Sequence, residues 1–449
     1  MDQLHRMLNM LGQIPPSVDI DSIQREWDAL TSSYSINQRR LPLPVWARRG
    51  LTDNAQQAWS TVQDELKRCN PQKAFCIYIH VPFCSRKCAF CDCYSFRLEQ
   101  HRDFHIEGYT AALEQEMRLW VQSDVLAQRP VSTVHFGGGT PAFLGPSAFH
   151  KLVETCRRYF NISPETEWAL ETTSSELTDE MFALLNALGF TRLHMGVQSL
   201  DESIRSTINR QESAETMLRK LSRAVAMGWV TSVDLIYGLP TQSLDSLLHD
   251  IDILAQIRVD GFSLYELQRS SHNHRFIEQS GLLNRDRRYD YLLFQAATRA
   301  LISLGYQKTL FNHFANKRDT NLYFTFPERG EDCLALGTIA DGIFNDYHYR
   351  HPTYAAYCKK ITGSFPGLQG GVRQDQNETR MAPLEVSILS GRIQSNQLEK
   401  ILGKECAQRL LQHWHDSAFI TSDPNQAGLL NLTSNGSWFV GEMMAELPG

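Results

Sequence analysis

The chain has 449 residues, of which 42% are hydrophobic, 10% aromatic and 21% charged, a mixture that fits two or three globular domains and excludes a small peptide scaffold or a disordered chain. Lys and Arg number 44 against 50 Asp and Glu, and the formal net charge of -6 argues against a nucleic-acid binder that works by neutralising phosphates. No run approaches the roughly 18 unbroken apolar residues of a membrane span, and no apolar signal core opens the chain, so a cytoplasmic protein is expected.

Residues 1–74 read as an N-terminal helical wrap, with helix-like patches at Leu4–Leu11 and Ala55–Leu66 and breakers at Pro15 and Pro16. From Phe75 the pattern changes. Short apolar runs (CIYIHV, STVHFG, EWALET, RLHMGVQ, SVDLIYG, FSLYEL) alternate with amphipathic helical stretches at the spacing of βα units. Strand then helix, repeated six times over residues 75–305, predicts an α/β fold with a parallel sheet, a partial (β/α)6 TIM-like barrel whose open side needs a cover. Residues 306–449 supply that cover as a mixed, substrate-covering and winged-helix-like region. It begins after a helix at Arg287–Leu304, includes the unusual segment Asn312–Asp332, crosses a linker at Phe365–Asn377, and ends as strand, turn at Asn435-Gly436, and helix.

Ten cysteines are present, and four of them crowd into Cys84, Cys88, Cys91 and Cys93, just after the first predicted strand. Such crowding points to metal chemistry in a reducing compartment rather than to disulfides. Cys84, Cys88 and Cys91 form CxxxCxxC, which can hold three irons of a [4Fe-4S] cluster and leave the fourth iron open to a small chelating ligand. Structural zinc is the alternative, but it favours four ligands in separated CxxC pairs, and no second pair follows. The dispersed Cys69, Cys76, Cys156, Cys333, Cys358 and Cys406 read as small buried hydrophobes.

With the preceding YIHVPFC, this motif resembles the radical S-adenosylmethionine superfamily. More narrowly, it resembles the oxygen-independent coproporphyrinogen III dehydrogenase branch, which shares the CxC extension matched by Cys91 and Cys93. The resemblance implies a cluster held by Cys84, Cys88 and Cys91, with S-adenosylmethionine chelating the open iron and reductively cleaved to a 5'-deoxyadenosyl radical. By the same resemblance, Gly138, Gly139 and Thr140 of FGGGTP meet the methionine amine, and Glu171, Gln198, Arg210 and Asp234 contact S-adenosylmethionine. Tyr78 and Phe90 flank the adenine and the cluster. Gln268 and the segment Asp332–Gly337 are the nearest candidates for a second S-adenosylmethionine. Cys93 and His313, in FNHFANKRDTNLYF, are the candidate catalytic residues, His313 as proton donor or substrate-orienting group. His80 and His135 read as packing or hydrogen-bonding residues, whereas His194 and His348 have no ready explanation.

Three chemistries share this front half: oxidative decarboxylation of a porphyrinogen, class C methyl transfer with two S-adenosylmethionine molecules, and action on haem by ring opening or as a chaperone. The segment Glu171–Thr178 (ETTSSELT) resembles the class C methyltransferases, and LYELQ and DCLALG resemble haem-utilisation members of that class. Where the dehydrogenase carries a glutamine-bearing stretch, this chain reads Asn321-Leu322-Tyr323-Phe324. The expectation is therefore a class C methyltransferase acting on an sp2 carbon of a planar aromatic acceptor, menaquinone or a tetrapyrrole, with Tyr323, Phe324 and Phe326 facing the ring. Coproporphyrinogen oxidation, a haem-acting methyltransferase and a haem chaperone are the alternatives. A low-potential electron donor such as flavodoxin or ferredoxin is implied, as is peripheral membrane contact if the acceptor is a quinone.

Overall fold

A computed structural model describes residues 19–31, 40–42, 49–98, 100–283, 285–361 and 364–448. The expected helical patch at Leu4–Leu11 lies outside them. The strands in chain order are β1 (Asp53–Asn54), β2 (Phe75–Val81), β3 (Phe83–Cys84), β4 (Phe96–Arg97), β5 (Val131–Gly138), β6 (Glu167–Thr172), β7 (Arg192–Gln198), β8 (Val230–Tyr237) and β9 (Gly261–Glu266). Then follow β10 (Gln307–Leu310), β11 (His313–Ala315), β12 (Asp332–Leu336), β13 (Asp341–Phe344), β14 (Tyr347–Arg350), β15 (Gly370–Arg373), β16 (Arg392–Gln394), β17 (Ile420–Ser422) and β18 (Leu429–Leu432).

The six predicted βα strands are β2 and β5 to β9, and they pair in parallel in chain order. A seventh parallel strand was not foreseen: β12 pairs with the free side of β2, Cys333 opposite Cys76. Antiparallel strands extend both flanks, giving a thirteen-stranded open sheet among the described residues. The expected boundary at residue 305 therefore falls inside the sheet, because β10 to β15 continue it.

Two expectations are corrected here. The stretch Phe365–Asn377 is not only a linker: it holds β15, which pairs with β14 and with β1 of the N-terminal wrap. Its paired glycines admit a close neighbour, since a Cβ on Gly371 would meet the Tyr347 hydroxyl at 2.1 Å and its ring at 2.5 Å. Asn435-Gly436 is not a hairpin turn but lies within the helix Ser434–Trp438, which the Thr433 side chain caps through the Gly436 N–H. The winged unit itself is present, with β16, β18 and β17 forming an antiparallel sheet beside helices Ser395–Leu402 and Lys404–Asp416.

Helix ends follow local chemistry. Asn54, Ser243 and Asp375 form capping boxes that start the helices Ala55–Arg68, Leu244–Ile257 and Gln376–Ser390. Alternation along the parallel strands separates two environments. Ile77, Ile79, Phe136, Leu170, Leu193, Val233 and Leu264 are buried in the main apolar core, which the outer helices share. The intervening positions (Tyr78, His80, His135, Glu171, His194, Asp234, Ser263 and Tyr265) put polar groups into the lumen. A lumen this polar is a site rather than a filled core.

The segment that follows β11 closes the amino-terminal end of the lumen. Asp319 accepts from Arg192 Nη1 at 2.6 Å and pairs with His313 Nε2 at 2.8 Å, while Arg192 Nε reaches Glu167 at 2.8 Å. Glu331 accepts from Ser132 at 2.7 Å. Tyr323 then inserts upward, stacked against Tyr78 and His135 with ring centroids 4.8 and 4.5 Å apart.

Candidate active site

The cysteine loop leaves the carboxyl end of β2, where a TIM-like barrel places its active site. Cys84 is buried, and its Sγ lies 3.5 Å from Thr140 Oγ1. The FGGGTP edge fits against this loop through its backbone: Gly139 N donates to Val81 O at 2.7 Å and Thr140 N to Phe83 O at 2.8 Å. Gly138 takes a positive φ of 107°, and a Cβ on Gly139 would lie 2.7 Å from the Phe83 carbonyl oxygen and 3.0 Å from Cys84 Sγ. Only glycine permits that approach.

The far side of the loop is tied down as well. Asn273 Nδ2 donates to Phe90 O at 2.9 Å, Ser270 Oγ donates to Asp92 at 2.6 Å, and Asn209 Nδ2 donates to Lys87 O at 2.9 Å. The Phe90 side chain packs on a small satellite core of Ile204, Ile208, Ile236, Leu239, Leu267, Ile277 and Leu282. This role is structural, alongside the expected one near the adenine.

Burial pushes the Cys84 and Cys88 thiols up, and for Cys88 the Arg210 guanidinium opposes that. Cys91 is drawn down to about 5 by the neighbouring Cys93 thiol, while Cys93 is raised by the same contact. Among the described residues no three His, Cys, Asp or Glu side chains converge closely enough for a single metal ion. The glycine edge, with space for no Cβ, seats its backbone directly against the loop that would hold the cluster.

The S-adenosylmethionine contacts implied by resemblance do gather at this mouth. A bulge between Gly196 and Gln198 turns Gln198 to a positive φ of 63°, beside Arg210. Gln198 Oε1, Arg210 Nε and His80 Nε2 are buried without a hydrogen-bond partner, and such orphaned groups fit a polar ligand that the chain itself does not supply. Arg210, Cys88, Thr140, Ser174 and Asn209 line a cavity of about 190 Å³.

Glu171 is a lumen carboxylate, its Oε2 3.8 Å from His135 Nε2. Burial works to raise its pKa, but His135, His194 and His80 outweigh it and hold the carboxyl below its usual range. Asp234 pairs with His194 Nε2 at 2.5 Å, and His194 Nδ1 meets Ser232 Oγ at 2.7 Å. Burial opposes a charge on His194, yet Asp234 and Glu171 carry it up to about 9. His80 goes the other way, to about 4, through burial.

Other predicted residues fall elsewhere. His313 is corrected: it sits at the closed end, both ring nitrogens held by Ser263 and Asp319, and so anchors the plug rather than facing the mouth. His348 is buried against Gln374 on β14, away from the lumen. Gln268 lies beside the cysteine loop, its carbonyl accepting from Asn273. Tyr323 is stacked inside the barrel, so the ring accessible in the open part of the lumen is a residue not foreseen, Tyr265, at 39% exposure. Its inward parity with Ser263 in FSLYEL was the available signal.

Comparison with known proteins places the chain in a family. The radical SAM superfamily profile matches residues 78–254. The oxygen-independent coproporphyrinogen III oxidase of Escherichia coli K12 is 30% identical over 368 residues, 78% of each chain. Anaerobilin synthase of Escherichia coli O157:H7 is 25% identical over 431 residues, 93% of each chain. The solved coproporphyrinogen III oxidase HemN of Escherichia coli shares the fold, with a TM-score of 0.76 at 22% identity over 93% of this chain and 97% of that one. The chain belongs to the radical SAM superfamily and, within it, to the family of oxygen-independent coproporphyrinogen III oxidase. Its cofactors are accordingly a [4Fe-4S] cluster and S-adenosylmethionine.

Proposed function

We propose that this chain is a radical SAM enzyme acting on a tetrapyrrole, and that the tetrapyrrole is haem, opened to a linear product with methyl transfer. The observation that carries this reading is the relative whose name is that of a bilin-forming synthase, because that match runs along 93% of both chains and so includes the winged tail. The segment Glu171–Thr178, by its resemblance to class C methyltransferases, and the lumen mouth support it: Tyr265 offers an accessible aromatic face for a planar macrocycle. Menaquinone, the acceptor first expected, draws no support from the relatives. Coproporphyrinogen III oxidation is the second reading, favoured by the 30% identity to the Escherichia coli K12 enzyme.

In this reading Cys84, Cys88 and Cys91 hold the cluster, which with S-adenosylmethionine supplies reductive cleavage of the sulfonium. The chain's own residues bind and orient. Gly138 and Gly139 let the backbone approach the ligand's amine, Arg210 presents its guanidinium to a carboxylate, and Gln198 is aimed by its bulge. Asp234, with one oxygen held by His194, keeps the other free to accept a hydroxyl. Gln268 and the segment Asp332–Gly337 would be the candidate contacts of a second S-adenosylmethionine.

The test is anaerobic reconstitution with S-adenosylmethionine, a low-potential reductant and, in separate reactions, haem, coproporphyrinogen III or menaquinone. Loss of the Soret band with haem, together with 5'-deoxyadenosine and S-adenosylhomocysteine, is the expected result. Decarboxylated porphyrinogen without S-adenosylhomocysteine would overturn it in favour of the second reading. Methylated quinone would overturn both.

A further inference from the structure

The carboxyl ends of β8 and β9 carry a group of charges that the cofactor contacts leave unused. Arg285 Nε lies 3.0 Å from Asp290 Oδ1, and Arg287 Nη1 lies 3.2 Å from Asp290 Oδ2. Arg287 also pairs with Glu266 at the end of β9, and Arg285 donates to the Gly238 carbonyl at 2.8 Å, just beyond β8. The third guanidinium is held loosely. Arg269 Nη2 comes only to 3.9 Å from Asp290, and Arg269 Nη1 reaches Leu283 O at 3.5 Å.

Three guanidinium groups thus share two carboxylates, leaving one positive charge over. Neighbouring anions do not balance it: Asp286 is engaged by Arg288, and Asp92 by Ser270 and His272. Arg285 Nη2 and Arg287 Nε are buried without hydrogen-bond partners, as are Asp290 Oδ1 and Glu266 Oε2, so the group's excess is one of charge rather than of unmet donors. Burial, with Arg269 and Arg287 nearby, also holds the Arg285 guanidinium below its ordinary value. Arg269 is the accessible member, its side chain 33% exposed against 10% for Arg285 and 15% for Arg287.

Its position matters as much as its charge. Arg269 lies between Gln268 and Ser270, in the segment that Ser270 and Asn273 bond to Asp92 and Phe90 of the cysteine loop. An anion seated on it would therefore lie next to the segment that braces the cysteine loop. A guanidinium takes a carboxylate through two parallel N–H···O bonds, a geometry that lysine cannot reproduce.

We propose that Arg269 receives a carboxylate side arm of the substrate, with Arg285 and Arg287 behind it, so that this corner of the mouth selects macrocycles bearing free carboxylates. The proposal rests on the tetrapyrrole reading above. A carboxylate could also come from the methionyl end of S-adenosylmethionine, and the experiment separates the two sources.

Anaerobically reconstituted wild-type, Arg269→Gln and Arg269→Lys proteins are titrated with haem and with haem dimethyl ester by absorbance, and with S-adenosylmethionine by equilibrium dialysis. Wild type is expected to bind haem about tenfold or more tighter than the ester, the difference a charged hydrogen bond supplies. Arg269→Gln is expected to remove that preference by weakening haem alone, and Arg269→Lys to restore part of it. Equal affinity of wild type for haem and ester overturns the proposal while leaving the tetrapyrrole reading intact. So does a loss in Arg269→Gln confined to S-adenosylmethionine. Failure of wild type to bind either macrocycle overturns both.

Discussion

The Tyr323 ring lies nearly parallel to that of Tyr78, 12° from coplanar and 4.8 Å away, and so joins the plug at one end of the barrel to the strand that carries the cysteine loop at the other. His135, on the neighbouring strand beside Tyr78, stacks on the same ring at 4.5 Å from Tyr323. Offset aromatic pairs of this kind contribute about 1 kcal/mol beyond the area they bury.

Tyr323→Ala is expected to lower the unfolding free energy by about 3 kcal/mol, as truncations of large buried rings do. Tyr323→Phe keeps both stacks and should stay within about 1 kcal/mol of wild type. Anaerobic urea unfolding of the three proteins measures this; equal losses for the two variants would assign the effect to the hydroxyl instead.

The loop makes a sharper prediction about iron. Cys84→Ala, Cys88→Ala and Cys91→Ala should each lose the cluster on reconstitution, while Cys93→Ala should retain it. Gly139→Ala should also reduce iron loading, because its methyl would press on the Phe83 carbonyl and Cys84 Sγ. Iron and sulfide content per chain decides each case, and full loading of any of the first three variants would remove that cysteine from the ligand set.

His194 links stability to pH. Its pKa rises from the ordinary 6.5 to about 9 in the folded chain, so the charged form stabilises the fold fully below about pH 6.5 and loses that effect as pH climbs through about 9. Wild type should therefore lose thermal stability across that window, and His194→Gln, lacking the proton, should lose less. Parallel curves for the two proteins would place the linkage in another group.

At the closed end, Arg192 stands between Glu167 and Asp319, both almost fully buried beside it. Arg192→Met should cost about 3 kcal/mol or more by leaving two carboxylates without their cation. Asp319→Asn relieves one of them, so the double variant Arg192→Met with Asp319→Asn should recover part of the loss in the same urea experiment.

Much of this architecture can be read from residue order because its signals are local. CxxxCxxC after a strand marks the loop, short apolar runs at the spacing of βα units mark the six strands, and FGGGTP marks a backbone that must come close. The features that escaped are long-range. Nothing near Asp332–Leu336 announces that it will lie beside β2, and the glycines of β15 look like a linker until Tyr347 is seen to fill the space they leave. Histidines were the hardest: His194 and His313 both pair with a serine and an aspartate, yet one faces the mouth and the other the plug. Only the position of the aspartate along the barrel tells them apart.

The pairing of β12 with β2 also has a bearing on how the protein is made. β2 enters the sheet early in synthesis, but the neighbour on one of its two sides is not translated until about 250 residues later. Until then the strand leading into the cysteine loop has an unpaired edge, and closing so long a stretch of chain is slow compared with local βα assembly. Iron delivery should accordingly follow release from the ribosome, and chains cut short before Asp332 should emerge without a stable cluster however many of the cysteines they contain.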